Sequence, residues 1–519
     1  VRSPLAKLYK LNGGQDDKSD PIEIPPWMFR SLLNFTVQRN SLHTRRGYVK
    51  EFQTALNGGA TVQRVFQHEV VSNQTFLDTY IVGGSLYAGA SQLDITNGIT
   101  IASGADVRPV LATWDGKLIG TDGTNLPFIV SDPSSATSAA VLETIRGIPS
   151  KAEMVVPYKE HIIYANITDR DGNVRPYGLL WSNPFDPQNA GADQAQDLNR
   201  SQAIRAAVVH NDHLILFQER STHTMFLEAR ERSMPFLFQQ IEGNVGCPAF
   251  DLAINTEKGT FFIGQPNKGI YHIEPGQPGP PRYISKPLET FFAGVNWSRI
   301  RYGWVGEIPE KNLVVFGLPH GTNQTNNNKV ICLNYDQWTV DADDDPHPAY
   351  SIWQGTATKP LSFASGYTIT DADGRSRLIT GGYDGFVYLM DEGALDDSEG
   401  ISAELQTPFY DLGGGREVIL LGLAIDGKLE GGDKTVTINY RTYRSKTSVT
   451  GSYTGGVAGS TFGVAVFGAS TFGGNIFGTI PAQLKGRGRF FDMTLRTTDD
   501  FELDGITIYG DILSGAFAR

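Results

Sequence analysis

Three short acidic stretches hold the residue types that bind divalent cations: TDRDGN at 168–173, DADDDPHP at 341–348 and TDADGR at 370–375. A calcium loop of the EF-hand kind needs a further oxygen ligand after its second Asp and a distal Glu. The first and third stretches do not supply both, so each reads as an Asp-Gly hairpin turn, and the second reads as a solvated acidic loop. Nucleophilic chemistry has no better footing. There is no G-x-S-x-G elbow, no H-E-x-x-H helix and no phosphate loop, and the histidine pair His210 and His213 in HNDH sits at a turn. Cys247 and Cys332 are too few for a thiolate zinc site and read as isolated buried thiols. Paired carboxylates remain, since propeller glycosidases need only two or three acids around an axis. Here Asp115, Glu160, Asp212, Glu257 and Glu310 fall at turn positions, where acidic residues also serve backbone geometry, and no sialidase-type S-x-D-x-G-x-T-W box is present. The sequence therefore nominates no catalytic, metal-binding or cofactor-binding residue, and the expectation is a non-enzyme without a cofactor.

Those turns belong to a repeated element. LITGGYDGFVYLMD (378–391) alternates apolar with small or polar residues on both sides of Asp384-Gly385, as two strands joined by a tight turn do. Similar hairpins turn at Asp115, Lys159, Asn211, Lys258 and Lys311, at intervals of 44, 52, 47 and 53 residues, with a weaker member near Gly84. A period of that length holding several strands is the signature of propeller blades. The expected fold is all-β: a β-propeller of about seven blades, six or eight also fitting the spacing, with a C-terminal antiparallel β domain. The expected division is an N-terminal arm over 1–60, the propeller over 61–395 and the C-terminal domain over 396–519. A large β-sandwich assembly is the alternative.

Within the last segment, 451–478 is built almost entirely of Gly, Ser, Thr, Ala, Val and Phe, with Phe462, Phe467, Phe472 and Phe477 recurring every five residues. Exposed phenylalanines on a glycine-rich backbone need a neighbouring surface to cover them, so these four are candidate assembly contacts. No apolar run approaches the length of a membrane-spanning helix. The formal charge of −12 argues against gripping nucleic acid by phosphate neutralisation, though not against DNA sliding past.

The segment NGGQDDKSDPIEIPPWMFRSLLNFTVQRNSLHTRRGYVKEF joins a Gly-Gly start, a Pro-rich bridge, an Asn34-centred strand and a terminal RRGY. It resembles the opening of a family of bacteriophage virion proteins that includes tail hub and nozzle proteins of short-tailed phages. LLWSNPFDPQN, EGNVGCPAF with KGTFFIGQPNKGIYHIE, and GRGRFFDMTLRTTDDFELDGITIYGDI resemble later segments of the same family, while 451–478 has no counterpart there. The resemblance implies a structural, non-enzymatic subunit of the virion tail. It would form a homo-oligomeric ring, usually a hexamer, around the DNA ejection channel, with a tail adaptor ring and fibre proteins as partners and genomic DNA passing without specific binding. The alternative readings are a receptor- or glycan-binding tail-tip propeller and a propeller glycoside hydrolase.

Overall fold

The computed structural model describes residues 2–70, 75–191, 193–228, 235–428, 436–442, 451–453 and 477–513. The chain is all-β, a series of four-strand antiparallel units followed by a larger mixed β region. Five units form sheets of their own among the described residues, beginning with Val62–Val70, Val110–Trp114, Lys151–Tyr158, Ile204–His210 and Ala253–Thr256. A sixth unit, beginning with Trp304–Ile308, is one end of a ten-stranded sheet. A seventh, Phe363–Thr370, Ser376–Gly382 and Val387–Met390, takes its fourth strand from Tyr48–Lys50 near the N-terminus. The first strand of each unit lies beside that of the next, and Phe363–Thr370 lies against Val62–Val70.

The turns follow from backbone chemistry. Asp115 (φ 47°) and Gly116 (φ 70°) close the two-residue loop between the paired residues Trp114 and Lys117, and Gly83-Gly84 does the same between Val82 and Ser85. The hairpins at Asp115, Lys159, Asn211, Lys258 and Lys311 all join the first and second strands of their units. Those at Gly84 and Asp384 join the second and third, so the sequence pattern merges two kinds of hairpin. Second strands such as GTFFIG (Gly259–Gly264) and LVVFGL (Leu313–Leu318) are buried along their whole length, because consecutive sheets cover both faces. The core is accordingly a set of layers between neighbouring sheets. One layer joins Ile81 and Leu86 to Leu118 and Phe128, and another joins Val62 and Tyr80 to Ile379 and Val387 of the seventh unit.

The division at residues 60 and 395 does not coincide with the sheets. Arg2–Lys10, Phe35–Gln38 and Ser41–Thr44 pair into a six-stranded sheet with Val418–Lys428, Phe477–Gly488 and Glu502–Leu513. Ser31–Leu33 bridges the sixth unit to Ala403–Gln406 in the ten-stranded sheet. Asn34, Arg45 and Gly47 of the NFTVQRNSLHTRRGY stretch are a junction device. The Arg45 guanidinium, fully buried, donates to both oxygens of the equally buried Asp396, at 2.8 and 2.5 Å, and its Nε donates to Asn34 Oδ1 at 2.9 Å. The Asn34 amide in turn donates to the carbonyls of Gln354 and Ser402. Gly47 is so close to the Leu395 carbonyl that a Cβ would lie 1.8 Å from its oxygen.

Breaking a buried ion pair from one side strands the remaining charge. Arg45→Ala should therefore lower stability by about 3–5 kcal/mol, read from the midpoint of urea unfolding. The double change Arg45→Met with Asp396→Leu should recover part of that loss.

Candidate functional site

The turn carboxylates weighed in the sequence do not converge on a site. Asp115, Glu160, Asp212, Glu257 and Glu310 are exposed and lie where first strands end. Asp212 pairs with Lys159 at 2.6 Å. In TDRDGN, Asp169 Oδ1 accepts the backbone N–H groups of Asp171 and Asn173, and Asp371 in TDADGR does the same for Asp373 and Arg375. Asp341 organises its own loop alike, and the Lys286 ammonium sits among Asp341, Asp343 and Asp345, supplying a cation from the protein itself. Among the described residues no group of three or more His, Cys, Asp or Glu is arranged to hold a metal ion. His210 and His213 flank a two-residue turn, with His210 buried against Thr260 Oγ1 at 2.8 Å. Cys247 and Cys332 are separate and buried, and burial pushes the Cys247 thiol up to about 12. Phe462, Phe467 and Phe472 lie outside the described residues, and of Phe477 only its place in Phe477–Gly488 is described.

Side chains do converge at the opposite end of the first strands. An eight-residue strand such as Lys151–Tyr158 carries the chain about 23 Å from that end to the turn carboxylates. The hollow there has a volume of about 390 Å³, within the range of small-molecule sites, about 300–1,000 Å³. It is lined from five units: Arg108 before the second, Lys151 and Glu153 on the third, Arg205 on the fourth, Asp251 before the fifth and Arg301 before the sixth. Register breaks aim two of the polar side chains. Arg205 falls at the break between Ile204 and Ala206, and Asn166, at φ 53°, falls at the break between Ala165 and Ile167. The Asn166 amide donates to Glu153 Oε2 and to the Ile204 carbonyl, and Arg205 Nη1 lies 3.5 Å from Glu153 Oε2.

The acids of the hollow differ in how far their neighbours occupy them. Arg64 holds Asp251 with two bonds, at 2.6 and 3.0 Å. Arg299 holds Asp106, and the hydrogen bond from that guanidinium draws the carboxyl below its usual range. Asp122 accepts backbone N–H groups from Ala102, Thr124 and Asn125. Glu153 is different. Half of its side chain is exposed, into the hollow. Desolvation by the surrounding protein raises its pKa, against the opposing charges of Arg205 and Arg301 and the Asn166 hydrogen bond. A carboxyl that keeps its proton to higher pH is the form required of a general acid.

Sequence reasoning passed over Glu153, Asn166 and Arg205. The available signal was the run KAEMVVPY, in which charged residues alternate only over the first three positions of an otherwise apolar strand.

No family model matches the chain, and no curated protein matches it. Among solved structures it resembles the exo-β-1,3-galactanase of Phanerochaete chrysosporium with galactose, at 11% identity over 89% of this chain and 100% of that one, with a TM-score of 0.28. It also resembles a glycoside hydrolase, at 9% identity over 89% and 99% of the two chains, TM-score 0.26. A third is PorZ, a surface component of the type-IX secretion system of Porphyromonas gingivalis, at 8% identity over 68% and 42%, TM-score 0.38. Likenesses at this level carry no activity or substrate to this chain. They do correct the expectation of a phage tail subunit. The resembling structures are diverse, carbohydrate-active enzymes, a bacterial surface component and the N-terminal domain of Nup159 among them, and link the chain to no virion tail, so the tail-channel role and the firm exclusion of enzymatic activity are withdrawn. The Asn34 and RRGY stretch behind that resemblance has its own physical basis, the buried junction at Asp396.

Because the folded chain holds the Glu153 proton to higher pH than the unfolded chain, stability falls as pH rises from the usual glutamate value through Glu153's own. Glu153→Gln removes that loss. The variant should be more stable than the parent at pH 7, with the difference closing below about pH 4, as measured by urea unfolding at the two pH values.

Proposed function

We propose that the seven units close into a seven-bladed β-propeller and that the hollow at one end of its axis binds carbohydrate. Supporting closure, the first strand of the seventh unit lies against that of the first, and Gln67 of the first unit exchanges two hydrogen bonds with the backbone of Thr370. The apolar layer between those two units matches the layers between all the other neighbours. Completion of the last blade by Tyr48–Lys50 ties the beginning of the ring to its end.

The observation that carries the binding reading is the contiguous set Glu153, Asn166 and Arg205. Every sugar hydroxyl both donates and accepts, so a diol is matched best by a wall that sets carboxyl, amide and guanidinium groups side by side. Phe250 and Val110 supply apolar surface beside them. A second reading, hydrolysis of the bound glycan, is favoured by the raised pKa of Glu153, which would protonate a glycosidic oxygen.

Calorimetry against a panel of oligosaccharides tests the first reading, and release of reducing ends from the same panel tests the second. Binding should weaken at least about tenfold in Glu153→Ala or Arg205→Ala, since each removes a charge-assisted hydrogen bond. A panel without a binder, or binding indifferent to both changes, would overturn the proposal.

A further inference from the structure

We infer that the saccharide taken by the axial hollow carries a carboxylate. This rests on the reading of the hollow as a carbohydrate site and goes on to name the class of sugar. The basis is the balance of charge that remains after internal pairing. Asp251 and Asp106 are each neutralised by an arginine standing behind the wall, Arg64 and Arg299. Arg205 is likewise held by Glu219, outside the hollow, through Nε at 3.3 Å and Nη2 at 2.9 Å. What faces the cavity is then three cations, Arg108, Lys151 and Arg301, against two carboxyls, Asp122 and Glu153. Asp122 is occupied by the backbone N–H groups of Ala102, Thr124 and Asn125 and offers little to a ligand.

These three cations have no ion-pair partner among the described residues. Arg108 spends its terminal nitrogens on the carbonyls of Ala105, Val107 and Tyr302, and its buried Nε has no hydrogen-bond partner. Arg301 lies over the Tyr302 ring, its guanidinium carbon 4.6 Å from the centroid, and its one hydrogen bond is to the Tyr302 hydroxyl. Lys151 opens the third unit's first strand, with its side chain exposed into the hollow. Cations concentrated in a concave wall draw an anion, because the low-dielectric surround focuses their field. Guanidinium groups fit a planar carboxylate through paired N–H donors. A uronic-acid unit meets both demands, with its hydroxyls against Glu153 and Asn166 and its carboxylate towards Arg301 and Lys151.

The experiment compares three probes by calorimetry on the whole chain: an oligouronate, its carboxyl-reduced neutral counterpart, and a sulfated oligosaccharide of similar length. The expected result is binding of the oligouronate, with the neutral counterpart at least about tenfold weaker. Arg301→Gln and Lys151→Gln, both at exposed positions and checked for unchanged unfolding midpoints, should each reduce oligouronate affinity by a larger factor than they reduce affinity for the neutral counterpart. Equal affinity for acidic and neutral sugars would overturn this inference and leave the carbohydrate reading standing. Preference for the sulfated probe would overturn the carboxylate assignment. Failure of all three to bind would overturn both readings.

Discussion

The middle of the molecule is held by one ion pair. Arg64, on the first strand of the first unit, reaches Asp251, which precedes the fifth unit, and its Nε donates to the Pro109 carbonyl ahead of the second at 2.5 Å. A single guanidinium thus joins three units, and units one and five are not neighbours in the chain. Both side chains are close to fully buried, at 6% and 11% exposed, so each is tolerable only while the other is in place. Phe250, adjacent to Asp251, is fixed by the same constraint. It lines the candidate site and also a second hollow on its other side, which Arg64, Phe66 and Tyr367 share. The pair therefore sets the floor that closes the site.

The layered core explains why such ties are needed. A second strand such as Leu313–Leu318, buried on both faces, has no stable existence outside the stack, so each sheet depends on the two beside it. The dependence runs to the ends of the chain. The seventh unit is incomplete until Tyr48–Lys50 arrives, and that segment is delivered by the Arg45–Asp396 junction. Close approach is enforced there too, since a Cβ on Gly381 of the seventh unit would lie 2.5 Å from Val62 of the first. With packing settled by the strands, their ends are free to differ from unit to unit, and at one end the differing residues are Lys151, Arg205 and Arg301.

The repeated units were legible in the sequence because their turns obey local rules. Asp115-Gly116 and Gly83-Gly84 need positive φ whatever surrounds them, so the residue types announce the turn. The pairing of Arg2–Lys10 with Glu502–Leu513 was not legible, since the two strands are separated by almost the entire chain and neither carries a mark of the other. Arg45 could be read as part of a motif, but its role depends on Asp396, which no spacing rule connects to it. The candidate site was missed for a related reason. Glu153 is an ordinary acidic residue in sequence, and its raised pKa comes from protein brought around it by other units. Asn166 resembles a turn residue, and the register break that aims it at Glu153 exists only in the paired sheet.

The net charge illustrates the same difference between chain and site. A total of −12 describes the long-range field, and acidic residues such as Asp115, Glu160, Asp212 and Glu257 contribute to it from exposed turns. Screening confines the influence of such exposed charges to about 8 Å at physiological salt. The far end of a first strand lies about 23 Å away, well beyond that distance. The field in the hollow is set instead by Arg108, Lys151 and Arg301, since Arg205 is held by Glu219, and by how many nearby carboxylates are already paired. The separation of the two ends of each first strand keeps the exposed turn carboxylates from adding to the charge of the hollow.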